Sequence, residues 1–166
     1  DLYLAALNML QTPTIRKVLI FDCDVHQGDG TAKLASNNKR VFTVSIHGEK
    51  NFPHRKQVSD LDFPLAKGAT DDEYLTVVER ALLQAFSTFQ PDAVIYDAGV
   101  DIHINDDLGH LHISTPGVYA RDCMVFEACE KYGVPVAAVI GGGYQRDIDA
   151  LVDVHLQLYR AAGVVS

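Results

Sequence analysis

Asp22, Asp24 and His26 occupy alternate positions directly after the apolar run Val18-Leu19-Ile20-Phe21, in the stretch FDCDVHQGDG, with Asp29 three residues beyond. Side chains two apart on extended backbone share a face, so these three project together from the point where a strand ends. Two other stretches have the same placement: Tyr96-Asp97-Ala98-Gly99-Val100-Asp101 and Gly141-Gly142-Gly143-Tyr144 each follow an apolar run. Like charges about 4 Å apart repel by ~4 kcal/mol at an effective dielectric of about 20. Carboxylates that converge in a partly buried cleft therefore need protonation or a cation. Asp24, His26 and Asp101 would offer a divalent ion two carboxylate oxygens and one imidazole nitrogen. Three protein ligands with an open fourth position is the pattern of catalytic zinc, whereas structural zinc is usually closed by four. A D-x-H pair alone serves equally well as a helix cap. Its coincidence with an acid and a Gly-Gly-Gly-Tyr turn at two other strand ends is what selects the metal.

The elements that must position these residues can be read from periodicity. The opening DLYLAALNML carries a helical stripe of Leu2, Ala5, Ala6, Met9 and Leu10. Four short apolar runs follow, Val18 to Phe21, Val41 to Ile46, Ala93 to Tyr96 and Val136 to Ile140, bounded by polar, Gly or Pro residues. Mostly non-alternating runs of this length suit strands buried on both faces of a parallel sheet. Thr70-Asp71-Asp72-Glu73 reads as a capping box opening a helix to about Phe89. Thr115-Pro116 places Pro at the first position of a helix closing before Gly133, and a last helix spans about Asp147 to Ala162, ending at Gly163. Strand and helix alternate, which predicts an α/β fold with right-handed crossovers. In such sheets ligands collect at the carboxyl ends of the strands, where the acids and the Gly-rich turn lie.

The 166 residues fit one domain, residues 1–166, without repeat or linker. The formal charge of -8 excludes a broad phosphate-facing surface, so no direct nucleic-acid ligand is expected. No apolar run approaches the ~20 residues of a membrane span, and the opening lacks the cationic start of a signal peptide. A cytoplasmic location is expected. Three cysteines, Cys23, Cys123 and Cys129, lack CxxC spacing and read as free, packed thiols of a reducing compartment. The start at Asp1, without an initiator Met, suggests a fragment.

The blocks DCDVHQGDG, VFTVSIHGEKNFP, YDAGVDIHINDDLGHLHIS and GGGY, in this order, resemble the zinc-dependent histone deacetylase family along nearly the whole chain. Gln27, where many members carry His, is similar to the class IV branch and bacterial relatives. The resemblance implies a three-layer arginase/deacetylase-like fold, a parallel sheet flanked by helices, incomplete at its N-terminal side. It also implies an amidohydrolase acting on acylated lysine or a related acylated amine. Asp24, His26 and Asp101 match the zinc ligands, with ferrous iron as the alternative ion. Tyr144 matches the tyrosine that hydrogen-bonds the amide carbonyl, and Gly142 and Gly143 are the glycines closest to substrate. Phe52 matches an aromatic wall of the acyl channel and Leu108 a residue at its rim. Asp22, Ser45 and Ile46, with the carbonyls of Asp24 and His26, match a structural potassium site.

In the family a tandem histidine pair acts as general base and acid, and Asp22 and Asp29 match the carboxylates that orient it. No His-His dipeptide occurs in these 166 residues. The expectation is therefore a carboxyl-terminal portion that holds zinc but is weak or inactive alone, and that self-associates through an exposed sheet edge. Three other readings stay open. Asp22-Cys23-Asp24-Val25 also resembles the DxDx[TV] start of haloacid-dehalogenase phosphatases, an arginase-like binuclear hydrolase shares the fold, and a catalytically dead module would bind acylated ligands or partner proteins. His103, His110 and His112 read as solvated loop histidines, and His47 and His54 as either channel-lining or solvent-facing.

Overall fold

The computed structural model describes residues 1–165. Ten elements follow in order: α1 (Leu2–Met9), β1 (Val18–Asp22), α2 (Asp29–Ala35), β2 (Val41–Gly48), β3 (Leu61–Leu65), α3 (Asp71–Phe89), β4 (Ala93–Asp97), α4 (Thr115–Tyr132), β5 (Val136–Val139) and α5 (Ile148–Ala161). The strands form one parallel sheet in the order β3-β2-β1-β4-β5. Helices cover both faces, as three layers require. Val18, Ile20, Val41 and Ile95 pack with Ala6 and Leu10 at α1 and Ala35 of α2. Leu19, Phe21, Val44 and Tyr96 point the other way, onto Val78 and Leu82 of α3, Val125 of α4 and Leu158 of α5. Successive residues thus supply opposite cores, the reason the central strands read as unbroken apolar runs.

Helix ends follow their local chemistry. Thr70 and Glu73 form the reciprocal capping box, and α3 stops where Gln90 turns left-handed at φ 53° before Pro91. Ser114 caps α4 by accepting the Gly117 amide at 3.1 Å, so Pro116 takes the second helical position, one later than its sequence suggests. Gly133 closes α4 at φ 66°, a conformation that costs glycine little. Asp147 caps α5 through the Ala150 amide.

Two expectations need correction. The sheet has a fifth strand, β3, whose Asp62 and Pro64 conceal it. It lies at the sheet edge, where a proline needs no ladder partner on its open side. And β5 is not buried on both faces: Ala137 and Ala138 are exposed and Val136 and Val139 half-buried, because it forms the opposite edge. Among the described residues no helix is long and apolar enough to cross a membrane.

Candidate metal centre

Parallel register lines up the carboxyl ends of three strands. Asp22 of β1 sits between Ser45 of β2 and Asp97 of β4, all in one row. Just beyond, the chain turns over the sheet and brings Asp24, His26 and Asp101 together, with one ligand atom of each within 4.8 Å of the others. His26 Nδ1 lies 3.1 Å from Asp24 Oδ1 and 3.0 Å from Asp101 Oδ2. Ligand bonds of about 2.0–2.1 Å in a tetrahedron place neighbouring donors about 3.3 Å apart, so this spacing fits a zinc ion.

Backbone amides aim both carboxylates. Asp101 Oδ1 accepts the Val25 N–H at 2.8 Å, which leaves Oδ2 facing the imidazole. Asp24 accepts the His26 N–H at 2.8 Å and, on its other oxygen, the Gly142 N–H at 2.7 Å. Outer hydrogen bonds of this kind fix ligand orientation. Gly142 is a glycine for a steric reason: a Cβ there would lie 2.2 Å from Asp101 Oδ2 and 2.6 Å from Asp24 Oδ2. The expectation that backbone comes close at this turn thus has a definite neighbour, the carboxylates themselves.

Electrostatics say the same. The side-chain hydrogen bonds to Asp101 and then Asp24 raise His26 to about 10. Burial pushes Asp101 up to about 7, against the hydrogen bond from His26. Burial also acts to raise Asp24, but hydrogen bonds from His26 and Gly142 outweigh it and hold this carboxyl below its usual value. These directions keep a proton shared within the cluster at neutral pH, and a divalent ion binding here would have to displace it. Zinc uptake is expected to release this proton and to strengthen as pH rises toward about 10, where His26 becomes neutral. Titration calorimetry in buffers of differing ionisation heat checks this, since a buffer-independent heat would contradict it.

The remaining sequence-assigned residues divide. The Tyr144 ring stands edge-on to His26 with centroids 6.1 Å apart, so the structure places it beside the cluster. Phe52 and Leu108 are exposed on two loops tied together by Asn51, whose Nδ2 donates to the Leu108 carbonyl at 2.9 Å. Gly143 packs against Val100, Leu151 and His155, away from the carboxylates. Asp22 and Ser45 are buried side by side with Ile46 adjacent, and Ser45 Oγ also bonds His47 Nδ1 at 3.0 Å. Asp29 is the first residue of α2 and accepts the Gly30 amide at 2.9 Å. Asp22 is only 5% exposed and one oxygen takes the Asp24 amide, so it is not presented as the nucleophile a dehalogenase-type phosphatase needs.

Histidine assignments from sequence also change. His103 is buried and bonded to Thr115 Oγ1 at 3.1 Å, because the 101–113 segment folds inward through its bridge to Ile113. His47 is buried against Ser45 and does not face solvent, while His54 and His112 are exposed. Gln27 is structural: its side-chain amide clasps Gln57 and Asp62.

Three residues outside the ligand set support the site. Asp97, whose Oδ1 is buried without a partner, is raised to about 6 by burial and then by Asp24. Arg121 and Asp122, fully buried on α4, pair at 2.8 Å, and Arg121 also donates to the Gly99 carbonyl at 2.5 Å. The only signal for them was an Arg-Asp pair inside a helix, which reads as solvated. Grooves of about 800 Å³ beside Arg16 and Arg40 and about 640 Å³ beside Leu83 and Tyr132 lie away from the cluster. The strand-end position is the better guide to chemistry.

Comparison with known proteins gives the context for this geometry. The family model for the histone deacetylase domain matches residues 1–158. An uncharacterized protein of Picosynechococcus sp. is 47% identical over 162 residues, covering 98% of this chain and 54% of its own length. Histone deacetylase 2 of Arabidopsis thaliana is 35% identical over 135 residues, covering 80% of this chain and 35% of its own. Among solved structures, a histone deacetylase homologue in complex with SAHA superposes with a TM-score of 0.78 at 22% identity, over 95% of this chain and 44% of that one. Acetylpolyamine aminohydrolase from Burkholderia pseudomallei superposes with a TM-score of 0.77 at 21% identity, over 96% and 48%. The chain thus spans about half the length, or less, of the proteins it matches. With its blocks in order on a three-layer parallel α/β fold, the chain belongs to the histone deacetylase family.

Proposed function

We propose that the whole protein is a zinc-dependent amidohydrolase that removes acetyl or other acyl groups from lysine or a related amine. The observation that carries this reading is the convergence of Asp24, His26 and Asp101 beside the Tyr144 ring. Zinc, when held by these three, supplies Lewis-acid polarisation of an acyl carbonyl and of water. Asp101 would bind through Oδ2, which its backbone partner leaves free, Asp24 through Oδ1, which also takes the His26 amide, and His26 through Nδ1. The Tyr144 hydroxyl donates a hydrogen bond to the acyl oxygen as negative charge develops there. Burial and the nearby Asp24, Asp101 and Asp106 raise this phenol above its ordinary value, so it stays protonated and able to donate at neutral pH. Phe52 and Leu108 would flank the acyl chain, and Asp22 and Ser45, buried side by side with Ile46 adjacent, would offer oxygen ligands to a structural potassium ion. Asp22 and Asp29 orient the proton-transferring histidines. Ferrous iron is the competing occupant, and metal analysis of protein from cells separates the two.

A second reading applies to these 166 residues alone. Without a His-His pair, general acid-base help worth roughly 10²–10⁴-fold is missing, so the isolated chain binds zinc and acylated ligands with little turnover. The test is acetyl-lysine turnover by this chain and by a version extended upstream. Tyr144→Phe in the extended version is expected to keep full zinc content and lose about 10²-fold in kcat. Undiminished turnover in that variant would remove Tyr144 from the mechanism.

A further inference from the structure

The segment 103–109 is the hub of the site's outer shell. Asp106 Oδ1 accepts the backbone amides of Leu108 at 2.9 Å and Gly109 at 2.8 Å, while Oδ2 accepts the backbone amide of Tyr144 at 2.7 Å. The next two residues of the tyrosine turn are tied to the same segment. Gln145 Nε2 approaches His103 Nδ1 at 3.3 Å, and Arg146 Nε donates to Asp107 at 2.7 Å. Gly109 closes the hub onto a metal-ligand residue, since a Cβ there would lie 1.7 Å from the Asp101 carbonyl oxygen. Arg146 is largely exposed, so its ion pair contributes little. The half-buried Asp106 carboxylate, with three amide donors, is the firm connection.

We propose that Asp106 is the positioning residue for Tyr144, and that it couples the tyrosine's aim to the seating of Leu108 at the rim. This rests on the assignment of Tyr144 given above. The tyrosine residue is nearly half exposed, so solvent rather than protein surrounds much of it. Its hydroxyl is several bonds from the backbone, so a small shift of the turn swings the donor away from where charge develops. One carboxylate that grips the turn and the rim loop together fixes both, and it does so without touching metal or substrate.

The test uses the zinc-loaded chain, an alkyl hydroxamic acid as probe, and a double-mutant cycle. Asp106→Asn keeps size and one acceptor oxygen but turns an amide group toward one of its donors. Zinc content is expected to stay at the native level and hydroxamate Kd to rise about tenfold, in line with a charge-assisted hydrogen bond. In the Tyr144→Phe background the same change is expected to alter Kd by less than about twofold, because Asp106 acts through the hydroxyl already removed. In metal-free protein, exchange of the Tyr144 amide should accelerate about tenfold. Asp106→Ser, which retains a small acceptor for the turn at 108–109, is a second variant with the same expected cycle. An equal loss of affinity in both backgrounds, unchanged Kd, or loss of zinc would overturn the proposal. If Tyr144→Phe itself leaves hydroxamate Kd unchanged, the tyrosine assignment falls and the proposal falls with it, whereas the other outcomes sink the proposal alone.

Discussion

Asp101→Ala is expected to leave the chain unable to retain zinc through dialysis. Asp101 is fully buried, with one oxygen held by the Val25 amide and the other 3.0 Å from His26 Nδ1. Loss of an outer hydrogen-bond partner costs roughly 10–100-fold in metal affinity, and loss of a ligand itself exceeds that. Asp101→Asn separates ligation from packing: it keeps the volume and an acceptor for Val25 but offers a neutral amide. It should fold normally and still fail to hold zinc. Gly142→Ala reaches the same end by another route, because its methyl would press on both carboxylates at 2.2 and 2.6 Å. Native zinc content in Asp101→Asn, measured by elemental analysis after dialysis, would take Asp101 off the ligand set.

Arg121→Met is expected to be the most destabilising single change outside the ligands, by about 3–5 kcal/mol, the cost of stranding one partner of a buried ion pair. Asp122 would keep the Tyr96 hydroxyl, at 2.5 Å, but lose the guanidinium in a fully buried setting, where its other oxygen already lacks a partner. The Gly99 and Ala98 carbonyls would lose their donor too, loosening the loop that carries Asp101. Thermal unfolding should shift down by roughly 10 °C or more. Arg121→Met combined with Asp122→Leu should recover part of that loss, since no charge is then left alone. An Arg121→Met midpoint equal to the native one would show that the pair does not bear on the fold.

What could be read beforehand follows the physics of each segment. The central strands announce themselves because both faces are buried, so Val18 to Phe21 and Ala93 to Tyr96 carry no polar interruption. The capping box at Thr70 and the stop at Gly133 are local chemistry and equally visible. β3 was hidden because an edge strand tolerates Asp62 and Pro64, and α2 because seven residues beginning Asp-Gly carry little helical signal. In the site, Asp24, His26 and Asp101 were legible from strand-end position plus chemical type. Arg121 and Asp106 were not. A buried arginine within α4 looks like any solvated helix charge until tertiary packing closes over it. Asp106 acts through backbone amides of residues 108, 109 and 144, whose sequence bears no mark of the contact.

On the proposed reading, two carboxylates and one imidazole from the loops after β1 and β4 hold a single divalent ion with one position open to ligand. X-ray absorption at the zinc edge of the loaded chain tests it most directly. A four-coordinate shell of nitrogen and oxygen at about 2.0–2.1 Å with a single imidazole, changed at one position by hydroxamate, is the expected result. A shell containing sulfur, a second imidazole, or no response to hydroxamate would contradict it.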